Sequence, residues 1–495
     1  MKKLVINGGS IGKLMLLVSF LIFVPVLLLP LYPEDMKYSF SFLVTGMLSS
    51  VLSLIACSIT QKYKIHEEDI KTGSVIVLFI WLYSSFIGAL PFVFGNQLTF
   101  VQALFESVSG WTTTGLSVMN VEEVPKIFLF YRSFMQYCGG LGFVMMIVTV
   151  MQGKQAMSLY SAEGHPDKLA PNLGRTARMI FTMYLVYLVI GTFLYIIFGM
   201  SFFDAINHAM CALSTGGFST ETNSIGAYNS LGIEVITIFL MLIGTTNFAV
   251  LLIISKMKFK QASKVSEIRF LGVILLITVP AIAATLTSAL YVNFGEGLRI
   301  ALFNVVSALS TSGFSTVSYT NWPIFSIGVM ILLMMIGGGI GSTAGGIKLN
   351  RVYLMWRMMK ENISRRLSSA RTIRNPHYYR AQGKTYIDQA TQSDTVGFIA
   401  CYLFIFIIGS LLITLTESCA LSDAMFEFAS SLSTVGLSIG ITGPHTNNLT
   451  LIIEIIGMLL GRLEIFIVLM GVYVSSKKIR QALCTGTQKI YKRNE

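Results

Sequence analysis

The sequence predicts an all-α integral membrane protein: an N-terminal helix pair, then four parallel helix–loop–helix repeats, with ten spanning helices and four short helices. Three observations lead there: a composition too apolar for a water-facing surface, hydrophobic runs of spanning length, and one polar turn that occurs four times in register.

Apolar residues make up 54 % of the 495 residues and charged residues only 12 %, against about 25 % charged in soluble domains. Mean hydropathy is +0.70. These figures exclude a soluble enzyme. A net charge of +12 would raise nucleic-acid binding on a soluble chain; here the placement of the charges matters more, and no nucleic-acid partner is expected. Cys57, Cys138, Cys211, Cys401, Cys419 and Cys484 form no C-x-x-C pair and read as packed small hydrophobes. Met1-Lys2-Lys3 before the apolar run 14–30 imitates a signal peptide. No small-x-small site follows it and many spans do, so it reads as a retained first helix.

A spanning helix needs about 20 mostly apolar residues. Such runs fall at 12–32, 41–60, 72–93, 127–151, 178–200, 230–255, 268–291, 324–358 (interrupted), 394–415 and 449–475. Four runs near 100–111, 203–213, 298–309 and 422–432 are too short to cross and fit re-entrant helices. With the N-terminus inside, 31 of the 36 Lys and Arg fall on the inner side, leaving Lys37, Lys126, Arg132, Arg299 and Arg462. That bias places both termini in the cytoplasm. The basic stretch 361–391 also lies inside; it is either a docking surface for a soluble partner or lipid headgroups, or a plain solvated loop.

The turns are SGWTTTGLS (109–117), CALSTGGFS (211–219), SALSTSGFS (307–315) and SSLSTVGLS (430–438). Each lies between a short and a long apolar helix, which divides the chain into an extension (1–62) and repeats at 63–165, 166–262, 263–391 and 392–495. Each repeat starts and ends inside, so all four point the same way and arrange around an axis along the membrane normal. Irregular backbone at membrane depth survives only where it is buried or lines a water-filled cavity. Four such turns on a pseudo-fourfold axis therefore line a pore, where carbonyl rings can replace the hydration water of a cation.

The candidate filter residues are Thr112, Thr113, Thr114 and Gly115; Ser214, Thr215, Gly216 and Gly217; Ser310, Thr311, Ser312 and Gly313; and Ser433, Thr434, Val435 and Gly436. Glycine suits the special position because it readily takes φ > 0. Serine follows two residues later as Ser117, Ser219, Ser315 and Ser438; these hydroxyls either add oxygen ligands or brace the loop. The short helices also turn their partly negative C-terminal ends toward a cation.

Nine residues before each glycine stand Glu106, His208, Asn304 and Glu427. They either brace their own loops by hydrogen bonding or attract ions directly, and His208 is also a candidate for proton coupling.

The eighth long segment is broken by IGGGIGSTAGGIK (336–348). Gly337, Gly338, Gly339, Gly341, Gly345 and Gly346 each disfavour helix by about 1 kcal/mol relative to Ala. With Ser342, Thr343 and Lys348 they read as a flexible intramembrane loop beneath the filter, on the cytoplasmic side. A small-residue helix contact is the competing reading, and a nucleotide loop is rejected because no βαβ context surrounds it. Arg462, in the G-R-L-E of the last span, is costly at that depth. It either captures carbonyls structurally or raises an electrostatic barrier below the filter.

In these turns, the Gly-rich segment and the G-R-L-E arginine, the chain resembles the Trk/Ktr/HKT superfamily of potassium transporters. The extra helix pair and the TTTG of the first turn make it more similar to the TrkH type than to the shorter KtrB type. The resemblance spans essentially all 495 residues. It implies a potassium filter centred on Gly115, Gly217, Gly313 and Gly436, a Gly-rich gating loop in the third repeat and a barrier role for Arg462. It further implies a potassium-uptake membrane subunit in the cell membrane, a homodimer, and a cytosolic nucleotide-binding regulatory subunit of the TrkA type. Nucleotide would act only through that partner, potassium is cargo, and no covalent cofactor is expected. A sodium- or proton-coupled symporter of the same fold is the alternative. An intramembrane enzyme is more remote, since the chain lacks H-E-x-x-H, G-x-S-x-G and any cluster of metal-ligand spacing.

Overall fold

The computed structural model describes residues 10–63, 70–142, 173–290, 293–368 and 376–491. Helices dominate, as lipid requires: every backbone amide must find its partner within the protein, and α-helices do this segment by segment. Six segments are long and apolar enough to cross a bilayer: Ile11–Leu28, Pro33–Thr60, Gly73–Phe94, Gly174–Ile197, Ser266–Ala289 and Gln389–Glu417. Their outer faces are apolar, with Phe193 63 % and Leu276 76 % exposed.

Among the described residues, six of the ten expected crossings are single helices of spanning length. Two further expected runs are bent pairs: Leu231–Thr245 with Phe248–Ser255 turns by 115°, and Asn448–Arg462 with Ile465–Lys477 by 104°. Counting each pair as one span gives eight. At the first bend Asn247 starts a new helix, its side chain accepting from Ala249 N at 2.7 Å. At the second, Glu464 takes a left-handed φ of 58° and is held by Arg351 Nη2 at 2.6 Å. The run 127–151 is helical over Lys126–Leu141; beyond residue 142 it lies outside the described residues. The run 324–358 divides into Ile324–Ile336, a non-helical stretch and Leu349–Arg366.

The short helices are Phe100–Trp111, Phe202–Leu213, Phe294–Ser310 and Leu421–Leu432. Each lies between a long helix and a second helix, so the element order after the N-terminal pair runs through four similar units. The N-terminal pair is tied to the first unit by buried hydroxyls: Ser19 Oγ meets Ser49 Oγ at 2.6 Å, and Ser49 Oγ meets Tyr83 Oη at 2.7 Å. Cys57, Cys138 and Cys211 are buried and free of disulfides.

Of residues 361–391, 369–375 lie outside the described residues; the described ones, 361–368 and 376–391, are not simply a solvated loop. They include the end of Leu349–Arg366 and an antiparallel hairpin, His377–Arg380 with Gly383–Tyr386. Tyr378 is buried with Leu354 and Ile387, and Tyr379 N donates to Ser266 Oγ at 3.0 Å. The fourth unit's first helix is Gln389–Glu417.

Candidate functional site

Each short helix ends in the same way. Thr113, Thr215, Thr311 and Thr434 take left-handed φ values of 57°, 53°, 56° and 52°. The amides of Thr114, Gly216, Ser312 and Val435 reach back five residues to Ser109, Cys211, Ser307 and Ser430 carbonyls at 2.8–3.0 Å. This is the Schellman cap, whose left-handed position is usually glycine. A β-branched residue there is a genuine outlier and costs about 1–2 kcal/mol. Sequence reasoning gave the left-handed role to the glycines alone. They have it as well, with φ of 92° at Gly115, 75° at Gly217, 74° at Gly313 and 100° at Gly436.

The glycines meet in a closed ring. A methyl group added at Gly115 would stand 2.0 Å from the Gly216 carbonyl oxygen, and at Gly217 2.1 Å from that of Ser312. At Gly313 it would stand 2.1 Å from Val435 O, and at Gly436 2.2 Å from Thr114 O. Four backbone carbonyls, one from each turn, thus lie against the glycine of the turn before it in the ring, with no room for a side chain. A cavity of about 830 Å³ is bordered by all four glycines.

The four polar residues of the short helices hold the chain just past the glycines. Glu106 accepts from Ser117 Oγ at 3.0 Å and Val118 N at 3.1 Å. His208 Nε2 pairs with Ser219 Oγ at 3.0 Å. Asn304 Nδ2 donates to Thr316 Oγ1 at 3.1 Å rather than to Ser315. Glu427 accepts from Ser438 Oγ at 2.7 Å and Ile439 N at 3.1 Å. All four side chains are fully buried, so their contacts are those of braces.

Two supporting residues were missed. Arg132 forms a buried ion pair with Glu106 at 2.5 Å. Gln136 donates to Gly216 O at 2.6 Å and accepts from Phe218 N at 3.1 Å. Polar side chains inside an apolar run are the signal that could have found them.

On the side away from the cavity lies the Gly-rich segment, which is not helical, so the helix-contact reading fails. Backbone bonds from Ile347 N to Met335 O, Lys348 N to Ile336 O and Leu349 N to Gly338 O, at 2.8–2.9 Å, close it into a loop. Gly337, Gly341 and Gly346 take φ of 68°, 69° and 75°, and Lys348 Nζ donates back to Ala344 O. The loop docks on the 115° bend: Gly339 N donates to Thr245 O at 3.0 Å and Phe248 N to Gly341 O at 3.2 Å. Ser342 Oγ caps Gly339 O at 2.7 Å.

The threonines of the turns face this loop. Gly345 N donates to Thr311 Oγ1 at 2.8 Å, and Thr343 Oγ1 lies 3.1 Å from Thr215 Oγ1. Thr343 Oγ1 also donates to Gly244 O at 2.9 Å. A methyl at Gly345 would stand 2.2 Å from Thr434 Oγ1. Arg462 completes the set: Nη1 reaches Thr113 Oγ1 at 3.4 Å and Thr343 O at 2.5 Å, and Nη2 reaches Gly139 O at 2.6 Å. Its charge thus lies beside the turns while its protons are bound by carbonyls.

The family model described as TrkH, a cation transport protein, matches residues 39–481. The chain is 30 % identical to the Trk system potassium uptake protein TrkH of Vibrio parahaemolyticus over 475 residues, covering 93 % of this chain and 96 % of that one. It is 29 % identical to an uncharacterized cation transporter of Methanocaldococcus jannaschii, covering 93 % of each. The crystal structure of the potassium transporter TrkH from Vibrio parahaemolyticus superposes with a TM-score of 0.82 at 27 % identity, covering 95 % of this chain and 98 % of that one.

Proposed function

Because the chain belongs to the TrkH family of cation transport proteins, we propose that potassium crosses through the ring of its four glycines. The protein is a Trk-type potassium-uptake membrane subunit. The observation that carries the path is the closed contact between successive turns, each presenting a backbone carbonyl at a neighbouring glycine. Carbonyl oxygens there can exchange with the water of a dehydrating cation. The four units form parallel repeats about a pseudo-fourfold axis, with both termini in the cytoplasm of a cell-membrane protein.

On this reading the Gly-rich loop is the gate. It lies against the threonine side of the ring, and Arg462 adds a positive charge there that opposes cation passage. The protein works as a homodimer with a cytosolic nucleotide-binding regulatory subunit, and the basic hairpin region is the docking face. Removing residues 376–386 should abolish co-purification with that subunit; an unchanged complex would end the docking assignment.

Isotope flux into proteoliposomes tests the path. Potassium and rubidium should enter well ahead of sodium, and down their gradient with no added driving ion. Equal entry of sodium would overturn potassium selectivity. Uptake that requires a sodium or proton gradient would instead establish the symporter alternative. Only one aligned glycine is shared by all four turns, fewer than the two of a T-V-G-Y-G filter, and that favours keeping the symporter as the second reading. Transport, not catalysis, is the family's activity, and rescue of a potassium-uptake-deficient cell at low potassium would separate it from an intramembrane enzyme.

A further inference from the structure

Two of the short helices carry a buried glutamate at the same position, and only one is given a cation. Glu106 has Arg132 at 2.5 Å. Arg132 is the seventh residue of Lys126–Leu141; the seventh residue of Asn448–Arg462, the corresponding helix of the fourth unit, is Glu454. Thr442 joins the two acids there: its amide donates to Glu427 Oε1 at 3.1 Å and its hydroxyl to Glu454 Oε1 at 2.9 Å. Both glutamates are 0 % exposed. Glu454 Oε2 is buried with no hydrogen-bond partner among the described residues.

No cation faces this pair among the described residues. Ile324–Ile336, packed on the short helix, has no titratable side chain. Phe100–Trp111 offers only Glu106, already paired. Gln389–Glu417 brings Glu417, which accepts from Thr450 Oγ1 at 2.6 Å. Cys419 and Asp423 follow it, and His445 in the outer turn is exposed. Arg462 is at the far end of its helix, bonded to Thr343 O.

Two buried carboxylates without a counter-ion cannot both ionise, and sharing one proton is how such pairs resolve the conflict. We propose that Glu427 and Glu454 hold one exchangeable proton between them, and that this proton fastens the turn 438–442 to its short helix. Thr442 borders the 830 Å³ cavity, so the proton exchanges with the solution that fills it. Loss of the proton leaves two like charges buried together without a cation; their repulsion drives Glu454 away from Glu427, Thr442 can no longer bridge both acids, and the neighbouring Gly436 corner loses part of its brace. Potassium flux therefore falls as the pH on the cavity side rises.

Infrared spectroscopy of the purified protein reads the carbonyl stretch of a protonated carboxylic acid whatever ion is transported. Only the flux readout depends on the proposed path. The wild type should show that band at neutral pH, and Glu454→Gln should lose it, because Glu427 alone keeps its amide and hydroxyl donors and ionises. In proteoliposomes, wild-type flux should fall several-fold as the cavity side is made alkaline, while Glu454→Gln stays flat. If Glu454→Gln does not fold, Thr442→Val should keep the band and lose the pH dependence. A wild type without the band, a band that Glu454→Gln or Thr442→Val does not change as stated, or a pH profile shared by wild type and variants would overturn the proposal.

Discussion

Between the short helices and the glycines the four units are near copies, whereas their second helices are each built differently. On the first side every unit repeats a left-handed threonine, a back-bonded amide and a glycine pressed against the next turn. On the other side the first unit's helix ends at Leu141 and the second bends by 115°. The third opens into the Gly-rich loop and the fourth bends by 104°. On the proposed path the ring binds the ion and needs equal oxygens all round, so its parts are alike. The obstruction proposed for the Gly-rich loop and Arg462 needs only one loop and one charge, so the remaining units are free to become its dock. The Gly-rich loop uses that freedom by resting on the second unit's bend and beneath Arg462.

The sharpest way to break this comparison is Gly217→Ala. A methyl there stands 2.1 Å from Ser312 O at a φ of 75°, and the left-handed backbone alone disfavours Ala by about 1–2 kcal/mol. Flux should fall by about tenfold or more, and Gly313→Ala should do the same. A glycine whose replacement leaves flux intact would mean the ring is not equivalent all round.

Arg462→Ala should act in the opposite direction, raising potassium flux several-fold with the rubidium-to-potassium ratio unchanged. Unchanged or lower flux in a folded protein would leave Arg462 as a purely structural carbonyl clamp. Thr343→Val sharpens the same point at lower amplitude. It removes hydroxyl contacts to Gly244 O and Thr215 Oγ1, each contributing about 0.5–1.5 kcal/mol, so flux should rise a few-fold. A drop in flux would show that the loop contact supports the ring rather than obstructing it. The smallest effect on flux belongs to a pair outside both regions: Arg299, 38 % exposed, bonds Glu234, only 7 % exposed, at 2.7 Å. Arg299→Ala leaves that buried carboxylate without its partner, so stability should fall by about 1–3 kcal/mol, read as a Tm shift with flux preserved.

How much of this was legible follows the same division. The copied side was open to sequence because repetition exposes register: four aligned glycines identify the turns without any structure. The left-handed threonines were not legible, since backbone propensity points to glycine for such a cap and only tertiary contacts hold Thr311 and Thr215 there. The bends escaped notice because hydropathy averages over a window, and one Asn247 or Glu464 barely lowers it. The Gly-rich loop was readable from composition, but its dock on Thr245 joins segments nearly a hundred residues apart, which local pattern does not reach. The pairing of Glu106 with Arg132 was hidden for the same reason, although an arginine inside an apolar run invites the question of its partner.

A ring closed by one polypeptide has a consequence that an assembly of identical subunits escapes. In a homotetramer every codon change is written into all four corners at once. Here Thr114, Gly216, Ser312 and Val435 supply the corresponding carbonyls from four independent codons. On the proposed path, mutation can therefore alter one quadrant by degrees and leave three intact, a gradual route to new ion preferences within a single gene.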